Sequence, residues 1–253
     1  MSKPTIALVP GAWHTPAHYE EFLAIFEKAG YPTACLQLPG VDSAAPKDET
    51  VASNAAYLRE KLLLPLLDDG KNVVLVMHSF GGCVGSVAAA GLSKKDRGSS
   101  GGVVGLIFIA GFLAKESMSL FDALGGKFDD FVNVDETTGQ LTLDNPTDVL
   151  FHDVPGDVAA KAAGQLKQQA LSVLKSSSSA PAWQEEFYNG GRRGYIRATQ
   201  DRCVPAAIQT MMLDKSGLDW NIKDIETSHS PYLSHPQETF DIINGMITAI
   251  WSQ

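Results

Sequence analysis

Apolar positions along the chain alternate between two rhythms. Short runs at 5–9 (TIALV), 33–37, 72–77 (NVVLVM) and 103–110 (VVGLIFIA) have strand length, and those at 73–77 and 103–110 have no polar face. Such runs predict strands buried on both sides. Between them, apolar residues recur at helical spacing. Residues 17–29 carry Tyr19, Phe22, Leu23 and Phe26 and stop at Gly30. Residues 50–67 predict a helix whose last turn Pro65 bends, and 81–92 predict one rich in small residues. After a long interruption the alternation resumes with strands at 195–199 and 220–225, a helix at 205–213 between them, and a last helix at 236–251. Phe240, Ile243, Met246, Ile247 and Ile250 line one face of that helix. Strand–helix alternation of this kind predicts an α/β fold, a mostly parallel central sheet with helices on both faces.

The interruption spans 112–190. It holds helical pieces such as 158–174, a middle rich in Gly, Asp and Asn, and the tract SSSS at 176–179, which reads as a flexible surface turn. A structureless loop of that length is uncommon in a compact domain. The expectation is a helical lid at 112–190, inserted before the last two strands of a core made of 1–111 and 191–253. Residues 94–102 (KKDRGSSGG) read as a surface loop, and no internal repeat is visible.

Composition narrows the partners more than the fold. The 253 residues carry 20 basic and 29 acidic side chains, a net charge of -9. That balance argues against nucleic acid and against an anionic membrane surface. The start of the chain lacks a charged head followed by an apolar stretch, and the longest apolar run, 103–114, is too short to span a bilayer. These features lead us to expect a cytoplasmic protein acting on a small molecule, its oligomeric state open, a homodimer included. The three cysteines have no disulfide or metal-ligand spacing, and Cys35 and Cys83 read as small core residues. No metal and no cofactor is expected.

The chemistry concentrates where strands end. The run 72–77 leads directly into His78, Ser79, Phe80, Gly81 and Gly82. In an open α/β sheet this C-terminal edge is where ligands bind. A serine nucleophile there needs a sharp turn and small neighbours, the pattern G-x-S-x-G. Gly81 fits, but Met77 stands where the first glycine belongs. The plain alternative is that Ser79 caps the following helix. A serine hydroxyl needs a base and the base an orienting acid, in the chain order Ser, Asp or Glu, His. His229 follows the last strand and is the favoured base. His152 lies in the interruption, and His235 sits directly before Pro236 at a helix start. Asp201, just past 195–199, is the favoured acid, with Glu116 as a rival. Otherwise Asp201 would be a turn residue or a partner of Arg202. Backbone N–H groups of Ala12, in the turn after the first strand, and of Phe80 can stabilise an oxyanion. Gly11 lets that turn form, Trp13 reads equally as core or pocket wall, and His14 as a hydrogen-bonded wall residue.

Together the stretches LVPGAWHTPAHYEEF, CLQLPG, VMHSFGG, QDRCVP and SHSPYLSHPQE resemble the α/β-hydrolase superfamily. Within it they are similar to the branch of small plant-type methyl esterases and hydroxynitrile lyases with their fungal and bacterial relatives. The resemblance implies a cofactor-free site under a helical lid, with Ser79 as nucleophile, Asp201 as acid, His229 as base, and Ala12 and Phe80 as oxyanion donors. The chain departs from the branch in two places. Esterases usually show His-Gly where Pro10-Gly11 stand here. Cyanohydrin-cleaving members carry a threonine in the first turn and a lysine after the catalytic histidine, where this chain has Gly11 and Ser230. The expectation is therefore hydrolysis of a carboxylic ester or lactone, with Phe112, Leu120, Phe121, Phe128 and Phe131 supplying an apolar pocket. A carbon–carbon lyase on the same scaffold, or a receptor with little turnover, are the alternatives.

Overall fold

The computed structural model describes residues 3–251; the outermost residues of the expected core, 1–2 and 252–253, lie outside them. Six strands form one sheet: β1 (Thr5–Val9), β2 (Thr33–Cys35), β3 (Val73–His78), β4 (Val103–Ile109) and, past the interruption, Arg193–Ala198 and Asn221–Ile225. The interruption itself contributes β5 (Val132–Asp135), β6 (Gln140–Leu143) and β7 (Gln169–Ala170), so the last two strands of the main sheet are β8 and β9. The main sheet runs β2-β1-β3-β4-β8-β9, and every pairing in it is parallel.

Alternate side chains of each central strand serve opposite faces. Ala7, Val9, Leu75, Met77, Leu106 and Phe108 join one core, with the helices Val51–Leu58 and Gly81–Ala89. Ile6, Leu8, Val74, Val76, Ile107 and Ile109 join the other, with Glu20–Lys28 and Pro236–Trp251. Because both faces are covered, the strands carry no polar alternation. The α/β architecture read from the sequence is present.

Local differences have physical causes. The stretch 50–67 forms Val51–Leu58, a wider π turn Arg59–Leu63, then Leu64–Asp68. The Leu64 N–H reaches back to the Arg59 carbonyl. Pro65 has no N–H for the carbonyl four residues back and its ring crowds it, which the wider turn relieves. The stretch 158–174 is not one helix. It divides into Gly156–Gln165, β7 and Leu171–Lys175. The chain turns extended at Leu166, and the Gln169 amide then points inward and donates to the Gly40 carbonyl at 3.1 Å.

The region expected to be helical is therefore mixed. Its strands β5, β6 and β7 make a small antiparallel sheet, and its apolar residues Leu150, Phe151 and Val154 form a satellite cluster. Nor is the serine tract a loose turn. Ser176 Oγ accepts the Val51 N–H at 2.8 Å, and the buried Ser178 exchanges backbone hydrogen bonds with Ser117 and Met118. Among the described residues no helix is long and apolar enough to cross a membrane.

Candidate active site

Non-glycine residues adopt left-handed backbone at the C-terminal ends of three neighbouring strands. They are Trp13 after β1 (φ 64°), Ser79 after β3 (φ 52°) and Ala110 after β4 (φ 43°). Such conformations cost on the order of 1–3 kcal/mol each and persist only where the surroundings fix them. At Ser79 the fixing is visible. Its N–H donates to the Ile109 carbonyl, and its own carbonyl accepts from Gly82 and Phe112, all at 3.0 Å. A Cβ on Gly81 would lie 2.5 Å from the Val9 carbonyl oxygen, so only glycine lets the helix start this close to β1. A Cβ on Gly11 would meet the Ser79 Cβ at 3.0 Å.

Met77 disturbs none of this. Its side chain points into the space over the helix Gly81–Ala89, where a Cβ on Gly85 would lie 2.7 Å from its Sδ. The small residue expected at 77 has been exchanged for a small residue at 85, one helical turn past Gly81. The steric requirement of the motif is met by different residues.

Asp201 and His229 come together at the same edge. His229 Nδ1 lies 2.7 Å from Asp201 Oδ2, both side chains fully enclosed. The other carboxylate oxygen accepts the N–H groups of Cys203 and Val204 at 2.8 Å each, and the Gln209 amide approaches Oδ2 at 3.3 Å. Asp201 is thus a turn residue as well as a partner for the imidazole. Arg202 turns away to Asp148. The rivals stay apart: Glu116 is exposed, and His235 bonds Ser234 and faces Asp153.

His229 is tied to His78, the residue before Ser79. The two rings are 4.7 Å apart, and His78 Nε2 lies 3.0 Å from the His229 carbonyl. A carbonyl only accepts, so Nε2 carries the proton, and Nδ1 accepts from the Tyr19 hydroxyl at 2.8 Å. The Tyr19 oxygen in turn accepts the Gly11 N–H at 3.1 Å. One chain of hydrogen bonds therefore links the first-strand turn, the elbow and the base. Burial, then the neighbouring imidazoles of His229 and His14, holds His78 well below its ordinary value, so it stays neutral in this chain. Among the described residues none of these bonds joins His229 Nε2 to Ser79 Oγ. In unliganded sites such catalytic bonds are often long and tighten on binding.

Neither the Ala12 nor the Phe80 N–H is engaged by another group among the described residues, although the Gly11 and Trp13 N–H groups on either side of Ala12 are. Both residues, with Ser79, line one small cavity of about 40 Å³. Trp13, Phe112, Leu120, Phe128 and Phe131 line it too. Phe121 does not. It packs on Phe128 and lies under the Lys175 ammonium instead. Gly11 and His14 also lie outside the lining. Gly11 is packed behind the elbow. His14 is buried between His18 and His78, its Nδ1 2.7 Å from the Ala12 carbonyl.

Trp13 is both wall and core, its indole N–H donating to the Leu141 carbonyl at 3.1 Å. Cys203 reaches the cavity unforeseen. Burial, with the carboxylates of Asp201 and Asp129, holds its thiol well above the ordinary range, so it is no competing nucleophile. Among the described residues no cluster of His, Cys, Asp and Glu could hold a metal ion.

A parallel sheet with a serine elbow after β3 and an acid and a histidine after β8 and β9 is the architecture of one large class, and the sequence agrees. The profile of the alpha/beta hydrolase family matches residues 6–242, and the chain belongs to that family. It is 29% identical over 251 residues to the alpha/beta hydrolase nvfD of Aspergillus novofumigatus, covering 98% of this chain and 96% of that one. It is 24% identical to putative methylesterase 11, chloroplastic, of Arabidopsis thaliana, covering 90% of this chain and 58% of that protein. Among solved structures, a pyrethroid hydrolase from Sphingobium faniae superposes with a TM-score of 0.79 at 19% identity, both chains covered in full. Polyneuridine aldehyde esterase superposes with a TM-score of 0.76 at 17% identity, over 97% of this chain and 99% of that one. At such identities these two show a shared fold.

Proposed function

We propose that the protein is a serine hydrolase cleaving a carboxylic ester or lactone of small to medium size through an acyl-enzyme. The observation that carries this reading is the meeting, at one sheet edge, of a serine held in left-handed backbone, two unengaged N–H groups and a buried His229–Asp201 pair. His229 Nε2 takes the Ser79 proton as Oγ attacks the ester carbonyl carbon. The carbonyl oxygen, now an anion, accepts from Ala12 and Phe80. Asp201 holds the imidazole in the tautomer that frees Nε2 and stabilises its cation. His229 then gives the proton to the departing alkoxide, and the alcohol leaves an ester on Ser79. Water, deprotonated by His229, adds to that ester, and its collapse releases the acid and restores the serine.

Ser230, which follows the base, is buried and donates to the Tyr232 hydroxyl at 3.2 Å. It supplies no cation for a departing cyanide, so the geometry favours hydrolysis over cyanohydrin cleavage. A relative named as a putative methylesterase points the same way. The region 112–190 supplies the apolar wall over Ser79 and acts as the lid. The test is labelling with a fluorophosphonate followed by mass spectrometry. The label is expected on Ser79, with p-nitrophenyl acetate turned over by the parent and not by Ser79→Ala. Equal turnover by parent and variant would end the proposal.

A further inference from the structure

The cavity at Ser79 is too small for the substrate just proposed. Its roughly 40 Å³ admits a few atoms, whereas small-molecule sites usually run to hundreds of cubic ångströms. Next to it lies a larger cavity of about 200 Å³. The two share a wall, since Phe112 and Leu120 line both. The Phe112 backbone is tied to the Ser79 carbonyl at 3.0 Å, which brings the second cavity to within one side chain of the elbow.

The chemistry of this second cavity is apolar and adaptable. Met118, Met211 and Met212 contribute to it. Unbranched thioether side chains repack around guests of differing shape. Three charged residues, Lys115, Asp122 and the exposed Lys215, stand on its rim. The Asp122 carboxylate accepts from the Ser119 hydroxyl at 2.6 Å and from its N–H at 3.1 Å, and the Lys115 ammonium donates to the Lys215 carbonyl at 2.8 Å. Cys83, at its inner end, has its thiol pushed up to about 12 by burial and is an inert wall.

We infer that this second cavity is a subsite for a flexible apolar arm of the ester, which passes between Phe112 and Leu120 when the carbonyl is at Ser79. The inference rests on the hydrolase reading and names its substrate class: esters with one extended alkyl arm. The arm belongs either to the acid or to the alcohol, and two substrate series tell them apart.

The experiment compares kcat/KM for p-nitrophenyl acetate, octanoate and dodecanoate, and in parallel for ethyl, hexyl and decyl acetate. It uses the parent, Ala123→Trp and Met211→Ala. Ala123 lines only the second cavity and is exposed at its rim, so a larger side chain there fills the space without opening the fold. In one of the two series the parent is expected to prefer the long arm. Ala123→Trp is expected to lower that long-to-short ratio by about tenfold, the scale of a hydrophobic pocket losing part of its occupant. Met211→Ala is expected to move the optimum to longer arms. Equal ratios in parent and folded Ala123→Trp, in both series and with acetate still turned over, would overturn the subsite while leaving the hydrolase standing. A parent inert toward every ester defeats the hydrolase reading itself, and the subsite falls with it.

Discussion

The two sides of the site are built differently. On the sheet side, each chemical group sits where a parallel strand ends, and backbone hydrogen bonds fix it. Ser79 is held by Ile109, Gly82 and Phe112, and Asp201 by Cys203 and Val204. On the facing side, 112–190 offers short elements whose ties to the sheet are scattered. Trp13 bonds Leu141 and Lys167, His18 bonds Ala162, and Ser228 bonds Leu150 and Asp153. Both cavities open between these two constructions. The contrast separates two constructions: groups fixed by backbone hydrogen bonds where strands end, and cavity walls built from short elements with scattered ties to the sheet.

The largest break of that comparison is on the sheet side. Asp201→Asn keeps the turn's acceptor oxygen but removes the negative charge and the tautomer control. It is expected to lower kcat by on the order of 10⁴ with little change in KM. Circular dichroism should show the fold intact. A fall of less than tenfold would mean that the buried pair serves structure and not chemistry.

The same contrast decides what the sequence discloses. Strand ends are marked by composition: apolar runs stop, and serine, aspartate and histidine follow. Ser79, Asp201 and His229 therefore stand out one by one as candidates, and the sheet is legible with them. Tyr19 and His78 could not be given a role. A tyrosine at helical spacing beside Phe22 and Phe26 reads as core, and it is core, yet its hydroxyl also joins Gly11 to His78. Gln209 was invisible as the partner of Asp201 because a glutamine on a helix has no pattern. In 112–190 the periodicity of 158–174 suggests a single helix, but the chain turns extended at Leu166, and Gln169 then points inward to the Gly40 carbonyl. Long-range polar contacts of this kind leave no local trace. Phe121 shows the same limit among apolar residues: an aromatic beside a cavity-lining neighbour packed outward instead.

A smaller effect probes the exchange between Met77 and Gly85. If Met77 fills space that Gly85 leaves open, Met77→Ala creates a void beneath the elbow. A cost of about 2–5 kcal/mol is expected from chemical denaturation, the range for deleting a buried methionine side chain. Gly85→Ala in the Met77→Ala background should recover part of it, because the added methyl enters the vacated space. In the parent, the same Gly85→Ala meets the sulfur at 2.7 Å and should destabilise. Additive effects of the two substitutions would show that the residues do not share one steric requirement.

The smallest effect concerns the seam between the two sides, where the His14 ring lies between those of His18 and His78, inclined to them by 60° and 83°. All three have lowered pKa values. Burial is the main cause for each, followed by His18 beside His14 and by His229 beside His78. In the unfolded chain they titrate near the ordinary 6.5. Below that pH the unfolded state binds protons that the folded state refuses, so folding stability falls as pH drops. Above it, all three are neutral in both states and contribute nothing to the slope. Each histidine adds about 1.4 kcal/mol per pH unit, until its own folded pKa is reached. Glu185, whose carboxyl is raised by burial, works in the opposite sense.

The melting temperature is therefore expected to be flat from pH 8 to pH 7 and to decline toward pH 5. His18→Gln isolates one contribution. Its side-chain amide can still donate to the Ala162 carbonyl, which His18 Nε2 meets at 3.1 Å, but it cannot take up a proton. The variant's decline should be shallower than the parent's by up to one histidine's share. Parallel curves would place the acid sensitivity elsewhere, and with it the weak point between the sheet edge and 112–190.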